Sequence, residues 1–331
     1  MNLPPILRWL LWPLSLVYGF AVGVRLRLYA QGVFQTKRLR TPVISVGNLT
    51  VGGTGKTPMV IWLAQHFLAA GKRVAILSRG YKGSGDTSDE IELMKYRLND
   101  RVLFGVGVNR YEQGLLLENQ GVDVFLLDDG YQHLRLGRDV NILMLDGSRR
   151  IKNEWLLPAG ELREPISGVG RADLIVVTRR TERQAIEARD SHSYKIFYAQ
   201  TQLLGFRTLE QPGEEKYLSE IGPGPFFAFC AIGNPDAFLQ DLARWHVPVC
   251  GQKYFRDHHR YDQSDLKSLE RSAKDLGAVG FVTTEKDWVN LRSAGKPPLP
   301  VYVAAISLSI RSESEFVACL EHKLQSSGAR A

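Results

Sequence analysis

Residues 41–58 read TPVISVGNLTVGGTGKTP, and this stretch decides the fold class of the chain. The β-branched run 43–46 predicts a strand, the glycine-rich stretch after it predicts a loop, and Pro58 suits the start of a helix over residues 59–70. A buried strand is predicted next, at residues 73–77. Because a strand, a helix and another strand in this order form a βαβ unit, the stretch predicts a parallel sheet.

The glycines of this stretch predict a nucleotide-binding phosphate loop. Glycine lets successive backbone N–H groups turn toward anionic oxygens, and the helix N-terminus behind the loop favours negative charge. Lys56 would reach the β and γ phosphates, and the Thr57 hydroxyl would ligate magnesium. The strict pattern has glycine where this chain has Thr50, although Gly47 and Gly52 lie on either side. The predicted loop residues are Gly52, Gly53, Thr54, Gly55, Lys56 and Thr57.

The same domain continues with further apolar runs at 122–127, 140–145 and 174–177, and with a helical pattern at 110–119. Asp128 and Asp129 follow the first of these runs directly. An apolar strand that ends in a carboxylate is how a P-loop fold holds magnesium from the far side of the site. Tyr131, Gln132 and His133 come next, at the strand end where open α/β sheets bind ligands.

A second, smaller α/β domain is predicted after residue 205, because glycines and prolines interrupt the periodicity between residues 203 and 225. Its predicted strands are 226–232, 278–283 and 301–304, and its predicted helices are 235–245, 264–276 and 313–324. The predicted organisation is a membrane-associated helix over residues 1–30, a P-loop NTPase-like domain over 31–205 and the smaller domain over 206–331.

The composition excludes several classes of protein. The chain has 331 residues, of which 44% are hydrophobic and 23% charged, as in ordinary globular proteins. A disordered chain, a collagen-like repeat and a polytopic membrane protein are therefore excluded. Three cysteines, Cys230, Cys250 and Cys319, are too few and too far apart to predict a disulfide framework or a zinc cluster. A reducing compartment fits this usage.

Positive charge is concentrated in the first quarter of the chain. The first acidic residue is Asp86, and eleven basic residues precede it: Arg8, Arg25, Arg27, Lys37, Arg38, Arg40, Lys56, Lys72, Arg73, Arg79 and Lys82. Such a region suits anionic lipid, phosphate-bearing substrates or nucleic acid. The basic residues are interleaved with a hydrophobic segment rather than with stacking aromatics on a polar face, so no nucleic-acid partner is expected.

Residues 9–24, WLLWPLSLVYGFAVGV, carry no charge and lie between Arg8 and Arg25. The run is shorter than the ~20 residues of a straight membrane-spanning helix, and Pro13 would kink it. A cleaved signal peptide, a buried core helix and a membrane-dipping or short spanning helix are the alternatives. Flanking arginines and interfacial aromatics favour the last of these.

The motifs together resemble the tetraacyldisaccharide 4′-kinase family, in order from the N-terminal helix to about residue 290. The extended loop 45–58 is the most diagnostic of them. The others are Ser78-Arg79-Gly80-Tyr81, Asp89-Glu90, Asn109-Arg110, Asp128-Asp129-Gly130-Tyr131-Gln132-His133, Leu162-Arg163-Glu164-Pro165, Phe255-Arg256-Asp257-His258-His259 and Thr284-Glu285-Lys286-Asp287.

The resemblance implies a kinase of the cytoplasmic face of the inner membrane, peripheral or single-pass. A monomer is expected. Its substrates would be ATP, used with Mg²⁺, and a tetraacylated glucosamine disaccharide 1-phosphate, phosphorylated on the 4′-hydroxyl. The family has two α/β domains with the active site in the cleft between them, so His258 would come from the second domain and closure would complete the site.

The resemblance also implies roles for individual residues. Asp89 resembles the catalytic base and His258 its dyad partner, with His259 beside it as a rival, and Lys56 takes the phosphate role. Metal ligation is implied for Thr57, Asp128, Asp129 and Gln132. Positions around the phosphates and substrate are implied for Glu90, Arg110, His133, Arg163 and Glu164.

Two features of the sequence around Asp89 do not fit this picture. The family's Asp-Glu-Pro is Asp89-Glu90-Ile91 here, which leaves the shape of the segment open. By local sequence alone, Gly83, Gly85 and Ser88 nearby predict a solvated loop carboxylate.

A membrane-associated regulatory P-loop ATPase or a GTPase is the alternative function. The regulatory class carries lysine where this chain has Val51. Guanine specificity needs N-K-x-D or T-K-x-D, whereas Lys286 comes one place late in Thr284-Glu285-Lys286-Asp287. A basic membrane adaptor that retains a P-loop without turnover also stays open.

Overall fold

The computed structural model of the chain describes residues 4–80, 88–148, 154–179, 194–209, 214–292 and 294–328. Five residues named above lie outside these ranges: Tyr81, Lys82, Gly83, Gly85 and Asp86. Contacts within the chain divide it into two compact units. The first unit comprises Met1–Lys82, Leu98–Gln200 and Ser309–Ala331, and the second comprises Gly83–Arg97 and Thr201–Leu308.

The helices and strands alternate along most of the chain. The helices are α1 Pro5–Ala30, α2 Lys56–Ala69, α3 Asp89–Leu98, α4 Arg110–Glu118, α5 Pro235–Arg244, α6 Gln263–Asp275, α7 Glu285–Leu291 and α8 Glu313–Gly328. The strands are β1 Val43–Gly47, β2 Val74–Ser78, β3 Leu103–Val106, β4 Val124–Asp128, β5 Val140–Asp146, β6 Leu174–Thr178, β7 Lys195–Thr208, β8 Phe226–Cys230, β9 Val249–Tyr254, β10 Gly280–Thr284 and β11 Val301–Ile310. A 3₁₀ helix spans Ile166–Arg171.

The first unit is built on parallel strands in the order β3-β2-β4-β1-β5-β6-β7. Strand β1 lies between β4 and β5, with Ser45 opposite Leu127 on one side and Asn141 on the other. Every residue of β1 is buried, as expected for a central strand of a parallel sheet covered on both faces. The predicted α/β fold with a parallel, P-loop-type sheet is confirmed, and the phosphate-loop stretch leaves the sheet from this central strand.

The second unit has its own parallel strands in the order β11-β10-β8-β9. One apolar core contains Phe227, Phe229, Phe281 and Trp288. Helix α6 is fixed at its start by a capping box, in which the Asp262 carboxylate accepts from backbone N–H groups and the side chain of residue 265 returns the contact. The predicted helices and strands of this region are present, although β11 continues six residues beyond its predicted end at 304, and β9 and α7 were not predicted.

The two units divide the residues differently from the predicted boundary at 205. Helix α3 groups with the second unit because Tyr96 packs on Trp288, with ring centroids 4.4 Å apart. Helix α8 groups with the first unit because Phe316 packs edge-on against Trp62 and Phe197. Asp89 and His258 consequently belong to the same unit, rather than to two.

Helix α1 packs one side on the first unit and exposes the other. The Arg8 Nε donates to the Ala159 carbonyl at 3.1 Å, the Ser15 hydroxyl to the Leu156 carbonyl at 2.9 Å, and the Tyr18 hydroxyl to the Arg163 carbonyl at 2.7 Å. Other large apolar side chains of the helix are exposed: Ile6, Leu10, Leu14, Leu16, Val17 and Phe20. Trp9 is also largely exposed, although its ring packs edge-on against Trp155. By length and composition, Ile6–Ala30 is long and apolar enough to cross a membrane.

Candidate functional site

The phosphate loop occupies residues 48–55, between the end of β1 and the start of α2. Gly52 and Gly55 have φ values of 105° and 87°, in the left-handed region that glycine adopts without steric cost. A Cβ on Gly55 would also lie 3.3 Å from Cγ2 of Thr178. The helix begins at Lys56, three residues earlier than predicted, so Lys56 and Thr57 lie in its first turn.

Asp129 lies between two cations of the first unit. Its Oδ1 lies 3.6 Å from Nζ of Lys56, and Nη1 of Arg163 donates to both carboxylate oxygens at 2.8 and 2.9 Å. Burial acts to raise the pKa of Asp129, but the charges of Lys56 and Arg163 outweigh it, and the pKa lies below its ordinary value. Asp129 is therefore a carboxylate at neutral pH, in contact with the lysine of the phosphate loop.

Asp128 is the last residue of β4 and lies opposite Val46 of β1. It is buried, and its Oδ2 accepts a hydrogen bond from the Ser78 hydroxyl at 3.2 Å. Val46 is one residue before the end of β1, and the phosphate loop begins directly after that end. The pairing of β4 with β1 therefore places the Asp128 carboxylate beside the start of the loop.

Arg110 and His133 contact each other at the start of α4. Nη1 of Arg110 lies 3.1 Å from Nδ1 of His133. Because arginine can only donate, Nδ1 is the acceptor, and the proton of the neutral imidazole is on Nε2. Burial and the nearby charges of Arg110 and Arg138 lower the pKa of His133 to about 4. His133 is thus a neutral imidazole in a cationic part of the first unit.

Gln132 and Glu164 belong to a second buried group beside the loop. Glu164 is only 1% exposed and accepts from Nη2 of Arg171 at 2.7 and 2.8 Å. The Gln132 Nε2 donates to Glu164 at 2.9 Å and to the Asn48 carbonyl at 2.8 Å. A side-chain amide binds Mg²⁺ through its oxygen, and the hydrogen bonds of Gln132 Nε2 leave that oxygen as the atom for any metal contact.

The residues around the loop fit a nucleotide with magnesium. Thr54 Oγ1 and Asn48 Oδ1 are buried without a hydrogen-bond partner in the described structure, and a Cβ on Gly53 would meet open space. Among the described residues, no three His, Cys, Asp or Glu side chains cluster as a protein-only metal site. This donor set suits Mg²⁺, which commonly takes one or two carboxylates and keeps phosphates and waters for its remaining positions.

The second unit holds a separate cluster around Asp89. Asp89 begins α3 and is 8% exposed, so it is not the solvated loop carboxylate that its glycine-rich neighbourhood predicts. Its two oxygens lie 3.1 and 3.0 Å from Nδ1 of His258. Ile91, at the family's proline position, is buried, and its N–H donates to the Ser88 hydroxyl at 3.3 Å, a bond that proline could not make.

His258 and His259 have different partners. Nε2 of His259 lies 2.7 Å from Oδ2 of Asp265, and its ring stacks on Phe255. His258 has a φ of 62°, an uncommon left-handed conformation for a residue other than glycine. The geometry therefore pairs Asp89 with His258.

Lys286 completes this cluster, although its sequence context predicted no role for it. Its Nζ lies 3.6 Å from Asp89 Oδ2, 3.1 Å from Asp257 Oδ1 and 3.5 Å from His258 Nε2. The available signal was its place in the motif 284–287, where strand β10 ends and α7 begins. No role was predicted for Ser78 or Arg171 either. Ser78 donates to Asp128 from 50 residues away, whereas Arg171 is only seven residues after Glu164 but lies in none of the motifs.

Three comparisons with known proteins agree. The family model for tetraacyldisaccharide-1-P 4′-kinase matches residues 7–325. Tetraacyldisaccharide 4′-kinases of Geobacter metallireducens and Geobacter sulfurreducens are each 39% identical, over 91% and 93% of this chain and 94% and 91% of theirs. A crystal structure of LpxK from Aquifex aeolicus in complex with ATP is similar with a TM-score of 0.74 and 30% identity, covering 96% of this chain and 99% of that one. The resemblance that the motifs indicated is confirmed.

Proposed function

The chain belongs to the tetraacyldisaccharide 4′-kinase family, and on that premise we propose that its phosphate loop and its Asp89–His258 pair carry out phosphoryl transfer. The protein is an ATP-dependent kinase that phosphorylates a hydroxyl of a lipid disaccharide in lipid A synthesis. The regulatory ATPase or GTPase alternative is not favoured, since the family match extends across both units.

In the first unit, Lys56 and the backbone N–H groups of residues 52–57 bind the phosphates of ATP. Mg²⁺ would be held by Thr57 with Asp128 or Asp129, and when bound it supplies positive charge against the transferring phosphoryl group. Arg163 and Arg110 add fixed cations to the same unit. Catalysis of phosphoryl transfer is mostly positioning and charge neutralisation, which is what this set of side chains provides.

In the second unit, Asp89 accepts the proton of the attacking hydroxyl. The hydroxyl oxygen forms a bond to the γ phosphorus, the bond from that phosphorus to the β–γ bridging oxygen breaks, and ADP leaves. The proton passes to the Asp89 carboxylate, which His258 orients through its Nδ1. The carboxylate with both oxygens about 3 Å from Nδ1 of His258 is the observation that carries this assignment.

We also propose that α1 lies in the cytoplasmic interface of the inner membrane and does not span it. Its contacts with the first unit run from Arg8 to Arg25, whose Nη2 donates to the Gln132 carbonyl at 3.0 Å. At 1.5 Å per residue this is roughly 25 Å of helix held on the protein. The exposed apolar side is left to face lipid.

The protein is proposed to act as a monomer. The lipid-kinase assay tests the function: purified protein, [γ-³²P]ATP, Mg²⁺ and a tetraacylated disaccharide 1-phosphate. We expect labelled lipid carrying the phosphate on the 4′ position, and no label with Lys56→Ala. ATP hydrolysis that is indifferent to the lipid, with no labelled product, would exclude the kinase function.

A further inference from the structure

Lys286 lies among carboxylates in the second unit. It occupies the first turn of α7, and its side chain is 17% exposed. Its Nζ lies 3.6 Å from Asp89 Oδ2, 3.9 Å from Glu90 Oε1 and 3.1 Å from Asp257 Oδ1. One ammonium group therefore joins the start of α3 to the loop that carries His258.

Lys286 also faces the imidazole of His258 on the side away from Asp89. Nδ1 points at the two oxygens of Asp89, while Nε2 lies 3.5 Å from the ammonium and 3.8 Å from Asp257 Oδ2. A neutral imidazole has one N–H, and carboxylate oxygens only accept, so the proton belongs on Nδ1. Nε2 is then the acceptor that faces the lysine.

We propose that Lys286 is a positioning residue that keeps Asp89 ionised and His258 in its Nδ1–H form, an inference that rests on the proposed function of the Asp89–His258 pair. A cation beside Asp89 favours its charged form, which is the form that can accept a proton. The same cation opposes protonation of Nε2. Lys286 acts through these two residues, and no contact of its own with the reacting atoms is required.

The charges that face the pair come from three elements. Helix α3 contributes Asp89 and Glu90, the loop after β9 contributes Asp257 and His258, and α7 contributes Lys286. Burial acts to raise the pKa of Asp89, but the hydrogen bond from His258 and the charge of Lys286 lower it below its ordinary value. The hydrogen bond to Asp89 raises the pKa of His258, against burial and the charge of Lys286.

The sign of the effect follows from these contacts. Without the ammonium, the pKa of Asp89 rises because an opposite charge is lost, and the pKa of His258 rises because a like charge is lost. The active form has an ionised Asp89 and a neutral His258. Both changes therefore cause this form to be lost at a higher pH as the solution is acidified. A lysine that only tied the two segments together would lower kcat equally at every pH.

The test is the pH dependence of kcat/KM for lipid phosphorylation. The variants are Lys286→Gln and Lys286→Met, which are neutral, and Lys286→Arg, which keeps the charge; Lys274→Gln, at an exposed position of α6, is the matched control. We expect the acid limb of the two neutral variants to move up by about one pH unit or more. The Arg variant and the control should keep the wild-type limb.

A folded neutral variant with an unmoved acid limb would overturn the proposal while leaving the kinase function intact. Failure of the wild type to label lipid would instead count against the proposed function itself. The ¹⁵N resonances of His258 provide a readout that needs no turnover. The wild type alone shows which ring nitrogen carries the proton, and the variants show how the pKa of His258 changes. A neutral His258 with its proton on Nε2, or a His258 pKa that does not rise in the neutral variants, would also overturn the inference.

Discussion

Arg97 and Glu285 form a buried ion pair that joins α3 to α7, with Nη1 of the arginine 2.8 and 3.0 Å from the two carboxylate oxygens. Each side chain is 6% exposed. The same Nη1 donates to the Ile306 carbonyl at 3.0 Å, and Glu285 accepts from the Ile306 N–H at 3.2 Å. Arg97 belongs to the helix that begins with Asp89, and Glu285 directly precedes Lys286, so the pair connects the two helices that carry those residues.

Glu285→Gln should destabilise the second unit, because it leaves the Arg97 guanidinium buried beside a neutral partner. Breaking a buried pair from one side typically costs about 3–5 kcal/mol. Urea unfolding followed by circular dichroism measures the loss. The exposed pair Lys274–Glu270 provides the comparison, since Glu270→Gln should cost less than about 1 kcal/mol. If both substitutions lowered the free energy of unfolding by the same amount, the buried pair would contribute no more to stability than the exposed one.

Gly55→Ala should weaken ATP binding. The φ of 87° disfavours a side chain by about 1–2 kcal/mol, and the new Cβ would lie 3.3 Å from Cγ2 of Thr178. We expect the Kd for ATP to rise roughly tenfold, measured by calorimetric titration. Gly170→Ala is the control, because a Cβ there meets nothing within 4 Å. Unchanged ATP affinity in Gly55→Ala would mean that the loop does not bind phosphate in this conformation.

Leu10→Glu together with Phe20→Glu should reduce binding to vesicles that contain anionic lipid. Both side chains lie on the exposed side of α1, at 70% and 75% exposure. Loss of two apolar side chains from the lipid interface should lower the partition coefficient by about tenfold or more, measured by flotation. Leu276→Glu, at an exposed apolar position of the second unit, should have no effect. If the double variant floated with the vesicles as well as the wild type, the exposed side of α1 would not be the membrane-binding surface.

His258 makes a pH-dependent contribution to stability. Its hydrogen bond to Asp89 raises its pKa in the folded protein, so the stabilisation is fully present below the unfolded value of about 6.5 and is lost as pH rises through the folded pKa. His258→Asn keeps a residue that tolerates the left-handed backbone. The difference in unfolding free energy between wild type and His258→Asn should therefore be larger at pH 6 than at pH 9. A difference that is constant with pH would contradict a charged contact.

The sequence predicted what local patterns encode. Strand β1, the loop and α2 follow from β-branched, glycine and helical patterns within residues 41–70, and Asp128 follows from an apolar run that ends in a carboxylate. The family motifs supplied Asp89 and His258, which are 169 residues apart. No local pattern could place them together.

The remaining features depend on packing between distant segments. Helix α3 was missed because the glycines before it predict a loop, whereas Tyr96 and Arg97 hold it on α7. The role of Lys286 depends on three carboxylates from two other segments. The docked side of α1 likewise depends on backbone carbonyls of residues 156–163, which periodicity does not reveal.

The most direct measurement is the single-turnover rate of γ-phosphoryl transfer to the lipid disaccharide, by rapid quench, for wild type and Asp89→Asn. Asparagine keeps the shape of the side chain but cannot accept the hydroxyl proton, so the rate should fall by about 10²–10⁴ while the Kd for ATP stays unchanged. A wild-type rate in Asp89→Asn, with lipid labelled as before, would contradict the assignment of Asp89 as the base.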